Sequence, residues 1–74
     1  MEDHTNHIHI FKTNIRRENL AFFKKIFGRN KAIRQWNVDT EDCDLVLRVV
    51  SYELSESEIR SLVSQNGFEC IDLA

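Results

Sequence analysis

Between His7 and Thr13, apolar and polar positions alternate every second residue, with Ile8 and Ile10 on one side and His7, His9 and Phe11 on the other. That is the spacing of a strand with one covered face. Ile8 and Ile10 are the expected core pair, which leaves Phe11 on the open side with the two histidines. From Ile15 to Phe27 the period lengthens to that of a helix. Leu20, Phe23, Ile26 and Phe27 gather on one side, while Arg17, Glu18, Lys24 and Lys25 lie opposite. Thr13 and Asn14 offer the short oxygen-bearing side chains that cap a first turn. Gly28 is free to take the left-handed conformation that closes a helix.

A polar loop, Arg29 to Lys31, leads to a second strand over Ile33 to Asp39, with Trp36 and Val38 facing the core. Thr40 to Asp44 is turn-like. Leu45 to Val50 follows as a third strand in which Leu45, Leu47 and Val49 share a face, hairpinned to the second. Ser55 and Glu58 stand at the spacing of a capping box, which starts a second helix with Ile59, Leu62 and Val63 as its buried stripe. Asn66 and Gly67 end that helix, and Phe68 to Leu73 forms the last strand.

The order β-α-β-β-α-β, with one apolar stripe per helix, predicts an α+β sandwich of ferredoxin-like architecture. Two helices cover one face of a four-stranded antiparallel sheet and the other face stays open. Residues 1–6 show no periodicity and are expected to form a flexible tail; 7–74 make a single domain. Right-handed crossovers put the loop after the first strand, the acidic hairpin and the Gly67 turn at one end of the molecule.

The 74 residues, 42% apolar and 30% charged, suit one small globular core. Cys43 and Cys70 are too few for a disulfide framework and are expected as free thiols. The acidic, polar start is unlike a signal peptide, and no apolar run is long enough to span a bilayer, so a cytoplasmic location without membrane insertion is expected. The net charge of −2 conceals two halves. From Lys12 to Arg34 eight basic residues face Glu18 alone; from Gln35 onward Arg48 and Arg60 face nine carboxylates.

Several segments together resemble the heavy-metal-associated domain family of copper and zinc chaperones and P-type ATPase modules, in its branch of small bacterial proteins. They are Ile8 to Asn14, Trp36-Asn37-Val38-Asp39, Asp42-Cys43-Asp44 with Leu47-Arg48-Val49, and Asn66-Gly67-Phe68-Glu69-Cys70. The resemblance spans nearly the whole chain and implies the same ferredoxin-like fold. In that family, Met-x-Cys-x-x-Cys after the first strand binds a soft ion through two thiolates. Here the loop reads Lys12-Thr13-Asn14-Ile15-Arg16-Arg17, so by register Asn14 and Arg17 occupy the cysteine positions. Neither is a soft ligand, and paired guanidiniums repel an incoming cation. A working metal chaperone is therefore not expected.

Other residues invite chemistry less. His7 and His9 share a strand face and, with Cys43, are the weak metal candidates; no metal and no cofactor is expected. Asp39, Glu41, Asp42 and Asp44 lack the glycine and spacing of a calcium loop. Carboxylates around Cys43 should dull its nucleophilicity, and Cys70 should pack as a small hydrophobe. With only two glycines there is no phosphate-binding loop, and no enzyme is expected. The third strand lacks the aromatics of an RNA-recognition sheet, which argues against nucleic acid.

The expectation is a non-catalytic module that docks a protein partner through its basic first helix (Arg16, Arg17, Lys24, Lys25) and acidic second half, with Phe11 on the open sheet. Homodimerisation through that face, around Phe11, Val46 and Val50, is a second reading. A third is metal binding through non-family ligands, or small-ligand sensing as in ACT-type regulatory domains of the same element order.

Overall fold

The computed structural model describes residues 7–73; the expected tail, 1–6, lies outside them. The elements are β1 (Ile8–Thr13), a 3-10 turn (Arg17–Asn19), α1 (Leu20–Gly28), β2 (Gln35–Asp39), β3 (Val46–Val50), α2 (Glu56–Gln65) and β4 (Cys70–Asp72). The strands form one sheet in the order β2-β3-β1-β4, and every neighbouring pair is antiparallel. Two helices and a four-stranded antiparallel sheet make this an α+β domain.

The core shows how the layers meet. Phe11, Leu47 and Val49 from the sheet are buried with Phe23 and Phe27 of α1 and with Ile59 and Val63 of α2. In antiparallel ladders, residues directly opposite share a face. Phe11 pairs with Leu47 and His9 with Val49, so these side chains all point at the helices. Trp36 adds an edge-on contact to Phe27, with centroids 5.0 Å apart, and Phe23 takes Phe68 edge-on at 4.8 Å.

This corrects the expected facing of β1. Phe11 is 0% exposed and His9 is 7% exposed, whereas Ile8 is 42% exposed. Both sides of the strand carry large apolar groups, so alternation alone does not decide. The phenyl ring, in register with the core residue Leu47, does. Phe11 therefore offers nothing to an incoming partner.

The helix boundaries move as well. Arg16 is extended, at φ −100° and ψ 170°, and α1 begins at Leu20 rather than Ile15. The anticipated cap residues are engaged elsewhere. Thr13 Oγ1 donates to the Leu45 carbonyl at 2.6 Å and accepts from the Ile15 amide at 3.1 Å, while Asn14 Oδ1 accepts from the Glu69 amide at 2.9 Å. Ile15 is fully buried instead of opening a helix. Gly28 stays inside α1, and the left-handed glycine is Gly67, at φ 88°.

Leu45, expected to open β3, takes φ 47°, and its carbonyl is the one Thr13 holds. At the other end of β3, the buried Ser51 Oγ accepts from the Glu53 and Leu54 amides and turns the chain toward α2. The Ser55 and Glu58 capping box forms as expected. Phe68 and Glu69 remain outside β4.

Facing predicts an asymmetry between neighbours on β1. Phe11→Ala should cost about 3–5 kcal/mol in urea-unfolding free energy, and Ile8→Ala under about 1 kcal/mol. His9→Leu should be neutral or stabilising, because the buried Nε2 has no hydrogen-bond partner among the described residues.

Candidate functional site

Three loops converge where β1 ends. The Thr13 amide donates to the Asp44 carbonyl and the Thr13 hydroxyl to that of Leu45, which binds the acidic hairpin to β1. Asn14 binds the approach to β4 through Glu69. Lys12 Nζ lies 3.6 Å from Asp44 Oδ1. The expected gathering of the β1 loop, the hairpin and the Gly67 turn at one end is thus built from hydrogen bonds.

Asn14, Arg16 and Arg17 are all exposed. Asn14 is a structural tie, with its oxygen already holding a backbone amide. On the hairpin, donor atoms of Asp42, Cys43 and Asp44 lie within 4.8 Å of one another. The turn is largely closed on itself: Asp42 Oδ1 accepts from the Asp44 amide at 2.8 Å, Asp39 Oδ1 accepts from the Glu41 amide at 3.2 Å, and Lys12 offsets Asp44.

His7 and His9 do not join Cys43. His9 is buried beside Val49 in the core, and His7 sits beyond it at the opposite end of β1 from Thr13. The His7 ring packs edge-on to Tyr52 at 4.1 Å, and the Arg34 guanidinium lies 5.2 Å from the same phenol ring. No periodic spacing signals this small cluster, since Tyr52 falls in the connection between β3 and α2.

The two thiols differ. Cys43 is exposed and Cys70 is buried. Burial, then the nearby Asp72 carboxylate, push the Cys70 thiol up from 9.0 to about 11, with Arg60 acting in the opposite sense. Asp72 in turn takes a two-oxygen grip from Arg60 Nη1, 2.8 Å to each, which fastens β4 to α2. Sequence spacing did not reveal that pair, because its members lie 12 residues apart on different elements.

The charged surfaces are clearer. Arg16, Arg17, Lys24 and Lys25 are exposed, and none has a carboxylate partner among the described residues. Beyond them on the same helical layer, Glu56 and Glu58 occupy the first turn of α2, where negative charge complements the helix dipole. A hollow of about 300 Å³ runs along α2 between Asn30 and Ser57, Ser61 and Gln65. No helix among the described residues is long and apolar enough to cross a membrane.

No family model, no curated protein and no solved structure matches the chain.

The thiols supply the test here. At pH 8 in native buffer, iodoacetamide should label Cys43 and spare Cys70 until denaturant is added, as read by peptide mass. Between about pH 9 and pH 11 the unfolded thiol loses its proton and the folded one keeps it, so the unfolded state binds fewer protons and stability falls as pH rises. The slope should reach at most about 1.4 kcal/mol per pH unit and should shrink in Cys70→Ala.

Proposed function

We propose that this domain is a non-catalytic protein-docking module in which the outer surface of α1 and the residues leading into it receive an acidic partner. The observation that carries the reading is the set of exposed cations, Arg16, Arg17, Lys24 and Lys25, without carboxylate partners among the described residues. Lys12 and Arg60 differ from them, each having an internal carboxylate. Unpaired charge of one sign, on one helix and the residues leading into it, steers a partner of opposite sign and raises its association rate.

The proposal includes a ferredoxin-like sandwich of the heavy-metal-associated type. The order β2-β3-β1-β4, with a helix after β1 and after β3, supports it, being the split βαβ order traced from the β2 edge. It also includes a loop refitted from metal capture to structure, since Asn14 holds Glu69 and Arg17 stands in solvent. No catalytic step is assigned. Neither His7 nor His9 lies beside Cys43, and Cys70 is buried with a raised pKa. Two unpaired cysteines favour a reducing, cytoplasmic setting.

The experiment is affinity capture from native cells at low salt, using the wild type and the triple variant Arg17→Glu, Lys24→Glu, Lys25→Glu. The partner retained by the wild type should be lost from the variant, with an association rate at least about tenfold slower and a weaker dependence on salt. Retention of every partner by the triple variant defeats the reading.

A further inference from the structure

The aromatic residues of α1 do not all turn inward. Phe23 and Phe27 enter the core, but Phe22 is 44% exposed at the margin of the helix. Its ring is nonetheless held in place. Phe23 meets it edge-on with centroids 5.4 Å apart, and the half-buried Phe68 lies tilted against it at 6.1 Å. Phe23 takes Phe68 edge-on in turn, so three rings from α1 and the approach to β4 brace one another. A single exposed apolar side chain is ordinary on a protein surface, whereas one fixed between two further rings is a preformed apolar seat.

What surrounds the ring is charged. Lys25 stands one helical turn beyond Phe22, and Arg29, at the C-cap, two turns beyond. At the other end, the bond from the Glu69 amide to Asn14 Oδ1 brings the segment before α1, with Arg16 and Arg17, beside Phe68. All four cations are exposed, and none has a carboxylate partner among the described residues. Ala21 and Gly28, on the outward side of α1, are exposed and too small to screen the ring.

We propose that Phe22 and Phe68 form the apolar centre of the docking surface, and that the partner segment is a peptide carrying one aromatic or large aliphatic side chain between acidic residues. The inference rests on the docking reading of α1 and adds to it an anchor, which charge alone does not supply. In an apolar centre with a charged rim, a few covered rings carry most of the binding energy while the rim sets encounter rate and orientation. Because Phe22 is already braced, little side-chain freedom is lost when a partner covers it. Cations at both ends of the ring pair select acids on both sides of the anchor. A uniformly anionic lipid surface fits less well, since exposed Glu18 precedes α1, exposed Glu69 follows Phe68 and the chain carries −2 overall. One ring also falls short of the apolar stripe that an interfacial helix buries. A short segment can keep its acids away from those two carboxylates, as a continuous lipid surface cannot.

The test is selection from a random-peptide phage library on the immobilised full chain. Fluorescence anisotropy of the enriched peptides follows, on the wild type, Phe22→Gln, Phe22→Leu and the Lys25→Glu, Arg29→Glu variant, with circular dichroism melts as the folding control. Enriched peptides should carry Phe, Trp or Leu between Asp and Glu residues. They should bind Phe22→Gln at least about tenfold more weakly with the salt dependence kept, and Phe22→Leu should recover part of that loss. The charge variant should bind more weakly with a shallower salt dependence. Acidic peptides without an apolar anchor, or binding indifferent to Phe22→Gln, overturn the inference and leave the docking reading standing. Enriched peptides that lack acids defeat both. An empty selection also overturns the inference, and sedimentation with phosphatidylserine and phosphatidylcholine vesicles that is lost in Phe22→Gln would then assign the surface to a membrane.

Discussion

The arrangement turns on β1, which lies between β3 and β4 and delivers Phe11 to the centre of the core. Side chains alternate strictly along a strand, so seating one ring assigns a side to every other residue of that strand. With Phe11 inward, Thr13 also points inward and reaches the Leu45 carbonyl, and His9 is drawn into a place with no partner for Nε2 among the described residues. Ile8 and Ile10 are turned out by the same constraint. The energetic gain from one large aromatic therefore outweighs an unmatched imidazole nitrogen, a defect worth about 1–3 kcal/mol.

Where one interpretation dominates locally, the sequence was legible. The Ser55 and Glu58 box, the Phe23 and Phe27 stripe and the Gly67 stop each rest on short-range geometry that tertiary contacts did not override. The facing of β1 was ambiguous because Ile8 and Ile10 competed with Phe11, and only its pairing with Leu47 settles the choice. Asn14 misled for a related reason. A side chain suited to capping the residues beside it is equally suited to a distant amide, and it holds Glu69, 55 residues away. The cations were legible as a group because they crowd one short segment, although whether each finds a carboxylate depends on how distant elements pack.

The end of the molecule where β1 meets the acidic hairpin is occupied by structural bonds. Thr13 and Asn14 fasten the hairpin and the approach to β4, so that end resists rearrangement while Arg16 and Arg17 project from it. Rigid support under exposed cations lowers the ordering cost of any encounter made through them. The acidic turn beside it folds its own carboxylates back onto backbone amides.

The pair between Arg60 and Asp72 connects two properties that are otherwise separate. β4 has only three residues at the sheet margin, so its ladder contributes few bonds, and this partly exposed ion pair is what anchors its outer end to α2. Added electrolyte screens such a pair and lets the margin fray, measurable as faster amide exchange at Ile71 and Leu73. Ionic strength thereby acts on the exposed Ile71 and Leu73 through a contact on the opposite side of the sheet, and two aliphatic side chains acquire a dependence on salt.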